Sequence, residues 1–416
     1  MKEPAEILEM AKECLNCKVP LCSKKGCPVN TKIPEFIAKI KENNIEEAYN
    51  ILQENNSMSD ICGLVCPTEK QCKGKCIKGI KGEPVRINEL ESFVNNWAEA
   101  NNVKYKIKCE EKNNIKIAVI GSGPAGIACS IELAKKGFSV TVFEKEEKIG
   151  GVLRYGIPDF RLEKSRVDKL ETKIKEIGIE IKTNTTFGKD ITKESLNNEG
   201  YKAIFIGMGN AKSSTYKLSE NSNKNIYKAD EFLKEYGKET KQEELGTVVV
   251  IGGGNVAIDS ARSSIRRGAK KVYIIYRRDE EAMPARKIEI EEALEDGIEI
   301  IYLTKVISAI YEGDKLKEIE CIKTKMEKGN PIEIKGSNYI IKADNVIFAI
   351  GIFPDKEFLE KQGIVFDRAL IEINENGMTN IEGVFAGGDV VEAKSSVCRA
   401  IKMGKDVANN IEKYLA

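Results

Sequence analysis

"IKIAVIGSGPAGIACSIELAKKGFSVTVFEK", residues Ile115–Lys145 of a 416-residue chain, reads as strand, glycine turn, helix and second strand. Gly121, Gly123 and Gly126 form G-x-G-x-x-G. Alone that pattern is weak. Here it follows an apolar strand directly, opens a helix, and is followed by a strand that ends in Glu144. That is the full context of a dinucleotide-binding turn. The glycines permit a tight turn and let backbone N–H groups approach a pyrophosphate at a helix N-terminus. A carboxylate at Glu144 would accept from ribose hydroxyls.

The pattern recurs. "GTVVVIGGGNVAIDSARSSIRRGAKKVYIIYRRDE" (Gly246–Glu280) carries Gly252, Gly254 and Ala257 at the same spacing. Its second strand ends in Tyr276-Arg277-Arg278 where the first unit has Glu144. An acid there suits a free 2′-hydroxyl, whereas arginines suit a 2′-phosphate. The second unit is therefore expected to prefer NADPH over NADH. Two such units in one chain point to a flavoprotein with a nicotinamide site. A third element agrees: "GVFAGGDVVEAKSSVCRAIKMGKDVANNI" (Gly383–Ile411) is a short strand, a Gly-Gly-Asp turn and a helix. Asp389 stands where a carboxylate can take ribityl hydroxyls, and the following helix N-terminus can face flavin carbonyls or phosphates.

The N-terminal hundred residues differ in kind. Eight of the twelve cysteines lie between Cys14 and Cys76. Disulfides require an oxidising compartment. Four-cysteine zinc sites usually show paired C-x2-C knuckles, and only Cys14/Cys17 has that spacing here. Runs of cysteine at short spacing with a following proline favour iron–sulfur ligation. Both groups fit: Cys14-x2-Cys17-x4-Cys22-x4-Cys27-Pro28, then Cys62-x3-Cys66-Pro67-x4-Cys72-x3-Cys76. Two four-iron clusters is the natural count, though spacing alone does not say which cysteine holds which cluster. Between the groups, Phe36, Ile37, Ile40, Ile45, Ala48, Tyr49 and Leu52 recur at helical spacing, which predicts a helix over Pro34–Leu52 with a core-facing stripe. A second helix is predicted over Ile87–Ala100, and Asn101–Asn114 reads as a linker.

Composition narrows the function classes. Lys+Arg 66 against Asp+Glu 65 leaves no charge footprint for nucleic acid or an anionic membrane. No apolar run approaches membrane-spanning length and no apolar leader opens the chain, so a cytoplasmic protein is expected. Histidine is absent, which removes histidine acid–base chemistry, His-dependent triads and His metal ligands.

With these residues assembled, the whole chain resembles the small (beta) subunit family of NADPH-dependent glutamate synthase. It is also similar to the large subunit of NADH-dependent ferredoxin:NADP oxidoreductase and to the N-terminal half of dihydropyrimidine dehydrogenase. The pieces that carry the resemblance are the cysteine domain, "GSGPAG", "GGVLRYGIPDFRLEK" (Gly150–Lys164), "GGGNVAIDSAR", "YRRDEEAMPAR" and "VFAGGD". The resemblance implies FAD at Gly121, Gly123, Pro124, Ala125, Gly126, Glu144 and Lys145, with Gly151, Leu153, Gly209, Gly388, Asp389 and Val397. It implies NADP(H) at Gly252, Gly254, Asn255, Val256, Ala257, Arg277 and Arg278. It implies two [4Fe-4S] clusters, one held by Cys14, Cys17, Cys22 and Cys76, the other by Cys27, Cys66, Cys72 and Glu91, the last standing where dihydropyrimidine dehydrogenase has a glutamine. Cys62 would then be a spare buried thiol. The sequence departs from the family in one place: four residues separate Cys22 from Cys27 where three are expected.

The expected architecture is α/β: a small all-helical iron–sulfur domain (1–105) before two Rossmann-like domains of the glutathione-reductase type. The flavin domain is split (115–230 and 351–416) around an NADPH domain (231–350). The expected activity is electron transfer between NADPH and a partner subunit through FAD and the clusters. The partner would be a glutamate synthase large subunit or, alternatively, a ferredoxin-linked flavoprotein or a pyrimidine-reducing chain. The sequence leaves no room for an amidotransferase or synthase site. A disulfide reductase would need a redox-active cysteine pair near the flavin, and the nicotinamide region holds only Cys321. Replacing Arg277 and Arg278 together by alanine is expected to abolish discrimination between NADPH and NADH in steady-state kinetics. Unchanged discrimination would contradict the 2′-phosphate assignment.

Overall fold

The computed structural model describes residues 3–220, 222–236, 244–393 and 396–416. The chain divides into two compact units, one of residues 1–154, 160–209 and 354–416, the other of residues 155–159 and 210–353.

The first unit contains a five-stranded parallel sheet in the order Val384–Ala386, Tyr201–Ile206, Lys116–Ile120, Ser139–Phe143, Glu180–Lys182. Its central strand is buried from Ile117 to Ile120, as a strand covered on both faces must be. The glycine turn leaves the carboxyl end of that strand, where neighbouring connections depart in opposite directions, the switch point at which open α/β sheets take ligands. Helix Pro124–Lys135 follows and packs along the C-terminal helix Val397–Leu415. The two approach to backbone contact: a Cβ added at Gly404 would lie 2.2 Å from the Ala125 carbonyl oxygen.

The thiol-rich region belongs to this unit. Helices Pro4–Lys12, Ile33–Lys41, Ile45–Asn55 and Ile87–Ala100 enclose a core of Ile7, Met10, Phe36, Ile37, Leu52, Leu90 and Val94. The single helix read from sequence over Pro34–Leu52 is in fact two. Asn43 takes φ +56°, and Asn44 caps the second helix by accepting from the Glu47 N–H at 3.1 Å. Both asparagines satisfy a turn, and across them the apolar spacing lengthens to five residues, from Ile40 to Ile45. The domain is tied to the rest of this unit by polar bonds. Lys173 reaches Gln53 and the Ser57 carbonyl, Arg166 donates to Asn96 Oδ1 at 2.9 Å, and Lys405 donates to the Asn55 carbonyl at 2.8 Å.

The second unit repeats the plan. Its parallel sheet runs Ile226–Lys228, Asn345–Phe348, Thr247–Ile251, Lys271–Ile275, Glu299–Ile301. An antiparallel sheet of Thr304–Glu312, Lys315–Glu327, Asn330–Glu333 and Tyr339–Lys342 lies beyond it. Strand Ile226–Lys228, which the sequence reading left with the flavin part, pairs here instead. The segments adjoining the crossings, Lys212–Ser213 and Ile352–Phe353, pair antiparallel with each other.

Gly404→Ala is expected to destabilise the protein by about 1–3 kcal/mol, since carbonyl backbone cannot yield to a methyl group. Gly82→Ala, where an added Cβ meets nothing within 4 Å, serves as the control in thermal melting. Equal melting temperatures would contradict the contact.

Candidate functional site

The first cradle forms around Ser122. Its hydroxyl and its N–H, the latter at 3.0 Å, both donate to Glu144 Oε2, while the Glu146 N–H donates to Oε1 at 2.9 Å. Buried Glu144 is thereby held at the strand end, and Oε1 keeps a lone pair for a ribose hydroxyl. Ser122 also binds the Gly150 N–H, at 3.1 Å through its hydroxyl and 3.2 Å through its carbonyl. That draws the Gly150-Gly151 turn onto the glycine loop: a Cβ at Gly151 would stand 2.9 Å from Gly123 Cα. Gly121, at φ +95°, would meet the Gly207 carbonyl at 2.7 Å, and Gly126 would meet the Gly121 carbonyl at 1.9 Å. At Gly388 a side chain would lie 2.8 Å from the Ala125 methyl. These contacts bring Gly121, Gly123, Pro124, Ala125, Gly126, Glu144, Gly151 and Gly388 to one place. Half-buried Asp389 follows Gly388, Val397 opens the C-terminal helix, Leu153 is buried behind the Gly151 turn, and Lys145 is exposed beside Glu144. A Cβ at Gly209 would meet nothing within 4 Å, so that residue borders open space. A groove of glycine backbone at a helix N-terminus fits a pyrophosphate.

The second cradle has the same construction. Gly252 (φ +147°) would meet the Ala349 carbonyl at 2.2 Å, whereas Gly254 opens on empty space before Asn255, Val256 and buried Ala257. Residues 276–286 curl back over the turn. The Tyr276 ring lies against Gly253, its hydroxyl donates to the Ala282 carbonyl at 2.8 Å, and the Arg286 N–H donates to Asn255 Oδ1 at 3.1 Å. Arg277 is exposed and Arg278 half-buried, and neither forms an ion pair among the described residues. Two cations held at the end of that strand fit a nucleotide 2′-phosphate. Cys321, the thiol of this unit, is buried in strand Lys315–Glu327 and offers no exposed dithiol chemistry.

The thiols gather in two cavities. One, of about 370 Å³ including the solvent at its mouth, is lined by Cys14, Cys17, Cys22 and Cys76 among Leu21, Ile37 and Val85. The other, of about 380 Å³, is lined by Cys27, Cys66, Cys72 and Glu91, together with Cys62 and Cys398. Ile33 and Ile87 line both, so the cavities share a wall. The four residues between Cys22 and Cys27 lie in a π-helical turn, Cys22–Gly26, closed by the Cys27 N–H on the Cys22 carbonyl at 2.8 Å. That turn sends the two sulfurs to different cavities. No group of three or more acids or cysteines among the described residues converges on a single ion. A four-iron cube asks for the wider spacing of a lined cavity, because each ligand stands off its own corner.

Burial governs the chemistry of these donors. It pushes the Cys27 thiol up to about 11 and Cys72 well above the usual thiol range, with Glu91 adding to both. Burial, then the neighbouring Cys398 and Asp60, pushes Glu91 up to about 8. Such groups are protonated unless a cation replaces the protons, which iron does on binding. Cys398 is the exception, held down to about 7 by its neighbour Cys66. Neither Cys398 nor Gln71, whose Oε1 lies 3.1 Å from the Cys398 sulfur, was singled out by sequence. They are separated by 327 positions, and no local signal joins them.

Comparison with known proteins places this construction. Residues 115–404 match the family model "Pyridine nucleotide-disulphide oxidoreductase", and residues 1–103 match "Dihydropyrimidine dehydrogenase domain II, 4Fe-4S cluster". The glutamate synthase [NADPH] small chain of Escherichia coli K12 is 33% identical over 97% of this chain and 90% of its own length. The NAD-dependent dihydropyrimidine dehydrogenase subunit PreT of Escherichia coli O157:H7 is 32% identical over 99% and 95%. Among solved structures, Mycobacterium tuberculosis FprA in complex with NADPH superposes with a TM-score of 0.60 at 18% identity, over 73% of this chain and 85% of that one. Thermoplasma acidophilum thioredoxin reductase does so at 0.57 and 19%, over 73% and 100%. The fold and its two cradles are those of an NAD(P)H-dependent flavin oxidoreductase carrying an iron–sulfur domain. The chain belongs to the glutamate synthase small-chain family of the pyridine nucleotide-disulphide oxidoreductases. Among its described residues no helix is long and apolar enough to cross a membrane.

Glu91→Ala is expected to alter or abolish one cluster signal in electron paramagnetic resonance and leave the other intact. Two unaltered signals would contradict the placement of Glu91 as a ligand.

Proposed function

We propose that this chain is the NADPH-oxidising input subunit of a larger complex, binding FAD, NADP(H) and two [4Fe-4S] clusters and exchanging electrons with a second protein subunit. The observation that carries this reading is the pair of donor-lined cavities with a common wall of Ile33 and Ile87. Cys14, Cys17, Cys22 and Cys76 would hold one cluster, and Cys27, Cys66, Cys72 and Glu91 the other. When bound, the flavin exchanges hydride with nicotinamide and releases electrons singly, which the clusters carry.

The chain's own residues bind and orient. Gly121, Gly123 and Gly126 present backbone to the FAD pyrophosphate, Glu144 takes a ribose hydroxyl, and Asp389 takes the ribityl chain. Arg277 and Arg278 select the 2′-phosphate of NADPH. The apolar side chains that line the cavities beside the thiols would tune the potential of what they hold. No proton donor is required, in keeping with a chain that has no histidine. Similarity over nearly the full length of the small chain of glutamate synthase favours that enzyme's large subunit as the partner.

Two measurements test the reading. Anaerobically prepared protein should oxidise NADPH in the presence of ferricyanide, faster than it oxidises NADH; no NADPH oxidation by flavin-loaded protein would overturn the input role. Affinity purification from the native cell, with mass spectrometry, should recover a large glutamine-dependent synthase chain. Recovery of a small iron–sulfur flavoprotein instead would contradict that partner.

A further inference from the structure

The cavity proposed for the second cluster holds two more thiols than the cluster needs. Cys62 and Cys398 line it beside Cys27, Cys66, Cys72 and Glu91. Both share that cavity with the Cys66 sulfur, and Cys62 sits one helical turn before it, the Cys66 N–H donating to the Cys62 carbonyl at 3.1 Å. With four corners taken by Cys27, Cys66, Cys72 and Glu91 in the reading above, Cys62 and Cys398 are left as neighbours of the ligands.

Cys398 comes from the other side of the domain boundary. It is the second residue of the C-terminal helix, next to Val397, and is 2% exposed. Gln71, one residue before Cys72, grips that helix start with both ends of its amide. Its Oε1 lies 3.1 Å from the Cys398 sulfur, and its Nε2 donates to Ser396 Oγ at 3.1 Å. Ser396 Oγ is itself 3.5 Å from the Cys398 sulfur. Cys62 is fixed by Asn56, whose Nδ2 donates to its sulfur at 3.2 Å, leaving the Cys62 proton to point elsewhere.

We propose that Cys398 donates a hydrogen bond to the Cys66 sulfur when Cys66 is bound to iron, and that this bond, made from the flavin-binding helix, raises the reduction potential of the second cluster. An iron-bound thiolate has no proton and can only accept. The Cys398 S–H, which donates to Gln71 Oε1, can turn to Cys66 by rotation about its Cβ–Sγ bond. The Cys398 proton then has two acceptors, a neutral amide oxygen on Gln71 and a sulfur that carries negative charge, and the charged one is stronger. The Ser396 hydroxyl is placed to donate to Cys398 in turn, so the row Gln71–Ser396–Cys398–Cys66 points its donors toward the cluster. Donors to cluster sulfurs stabilise the added electron of the reduced form. Cys62 supplies a second donor of the same kind from within the iron–sulfur domain.

This inference rests on the two-cluster reading, and one experiment separates them. Iron content and an EPR-monitored redox titration would be measured on full-length, FAD-loaded, anaerobically reconstituted wild type, Cys398→Ala and Cys398→Ser. Wild type with two clusters, unchanged iron in Cys398→Ala, one cluster shifted to lower potential with the other unmoved, and partial return of the shift in Cys398→Ser would support the donor role. Two clusters with both potentials unmoved in Cys398→Ala would overturn it while leaving the two-cluster reading intact. Loss of about half the iron in Cys398→Ala would overturn it by making Cys398 a ligand. A single cluster in wild type would overturn the two-cluster reading and the donor role together.

Discussion

The contact between Gly404 and the Ala125 carbonyl is the constraint on which the rest of the first unit depends. It allows two helices to meet at backbone distance, and so fixes the C-terminal helix against the one that opens at the glycine turn. Because that helix is long, Val397–Leu415, fixing its middle also fixes its first turn. The first turn then faces two ways. Gly388 and Asp389, just before it in the chain, close the flavin cradle against Ala125, and Cys398 reaches into the second thiol cavity. A side chain at position 404 would separate the helices and loosen both.

The thiol cavities impose a second demand. Buried thiols and a buried carboxyl gain little from an apolar wall unless a cation replaces their protons. Cys27, Cys72 and Glu91 are held in that condition, and the neighbouring Thr31 hydroxyl is among the few polar groups given to them. The packing of the iron–sulfur domain is therefore arranged around what the donors hold. The shared wall of Ile33 and Ile87 keeps the two cavities adjacent. The π-turn at Cys22–Gly26 separates two donors five positions apart, so that Cys22 lines one cavity and Cys27 the other.

The features legible in the sequence share one property: their chemistry is written in adjacent residues. Both glycine turns, the acid at Glu144 and the arginines at 277 and 278 follow from spacing along single strand–turn–helix units, and the fold class follows from their repetition. The cysteine runs likewise announce iron–sulfur chemistry. What the sequence could not show depends on contacts between distant segments. Gln71 and Cys398 meet across 327 positions. Ser122 looks like filler between two glycines, yet it positions Glu144 and the Gly150 turn together. The break at Asn43 showed only as a five-residue step, Ile40 to Ile45, in a stripe otherwise spaced by three or four.

The central claim is that one chain carries a flavin and two separate one-electron centres. Anaerobic reductive titration with dithionite, followed by absorbance and EPR, tests it most directly by counting electrons. The account requires about four reducing equivalents per chain, two taken by the flavin and one by each cluster, with two distinguishable cluster signals at the end. Saturation at about two or three equivalents, with at most one cluster signal in fully loaded protein, would contradict it.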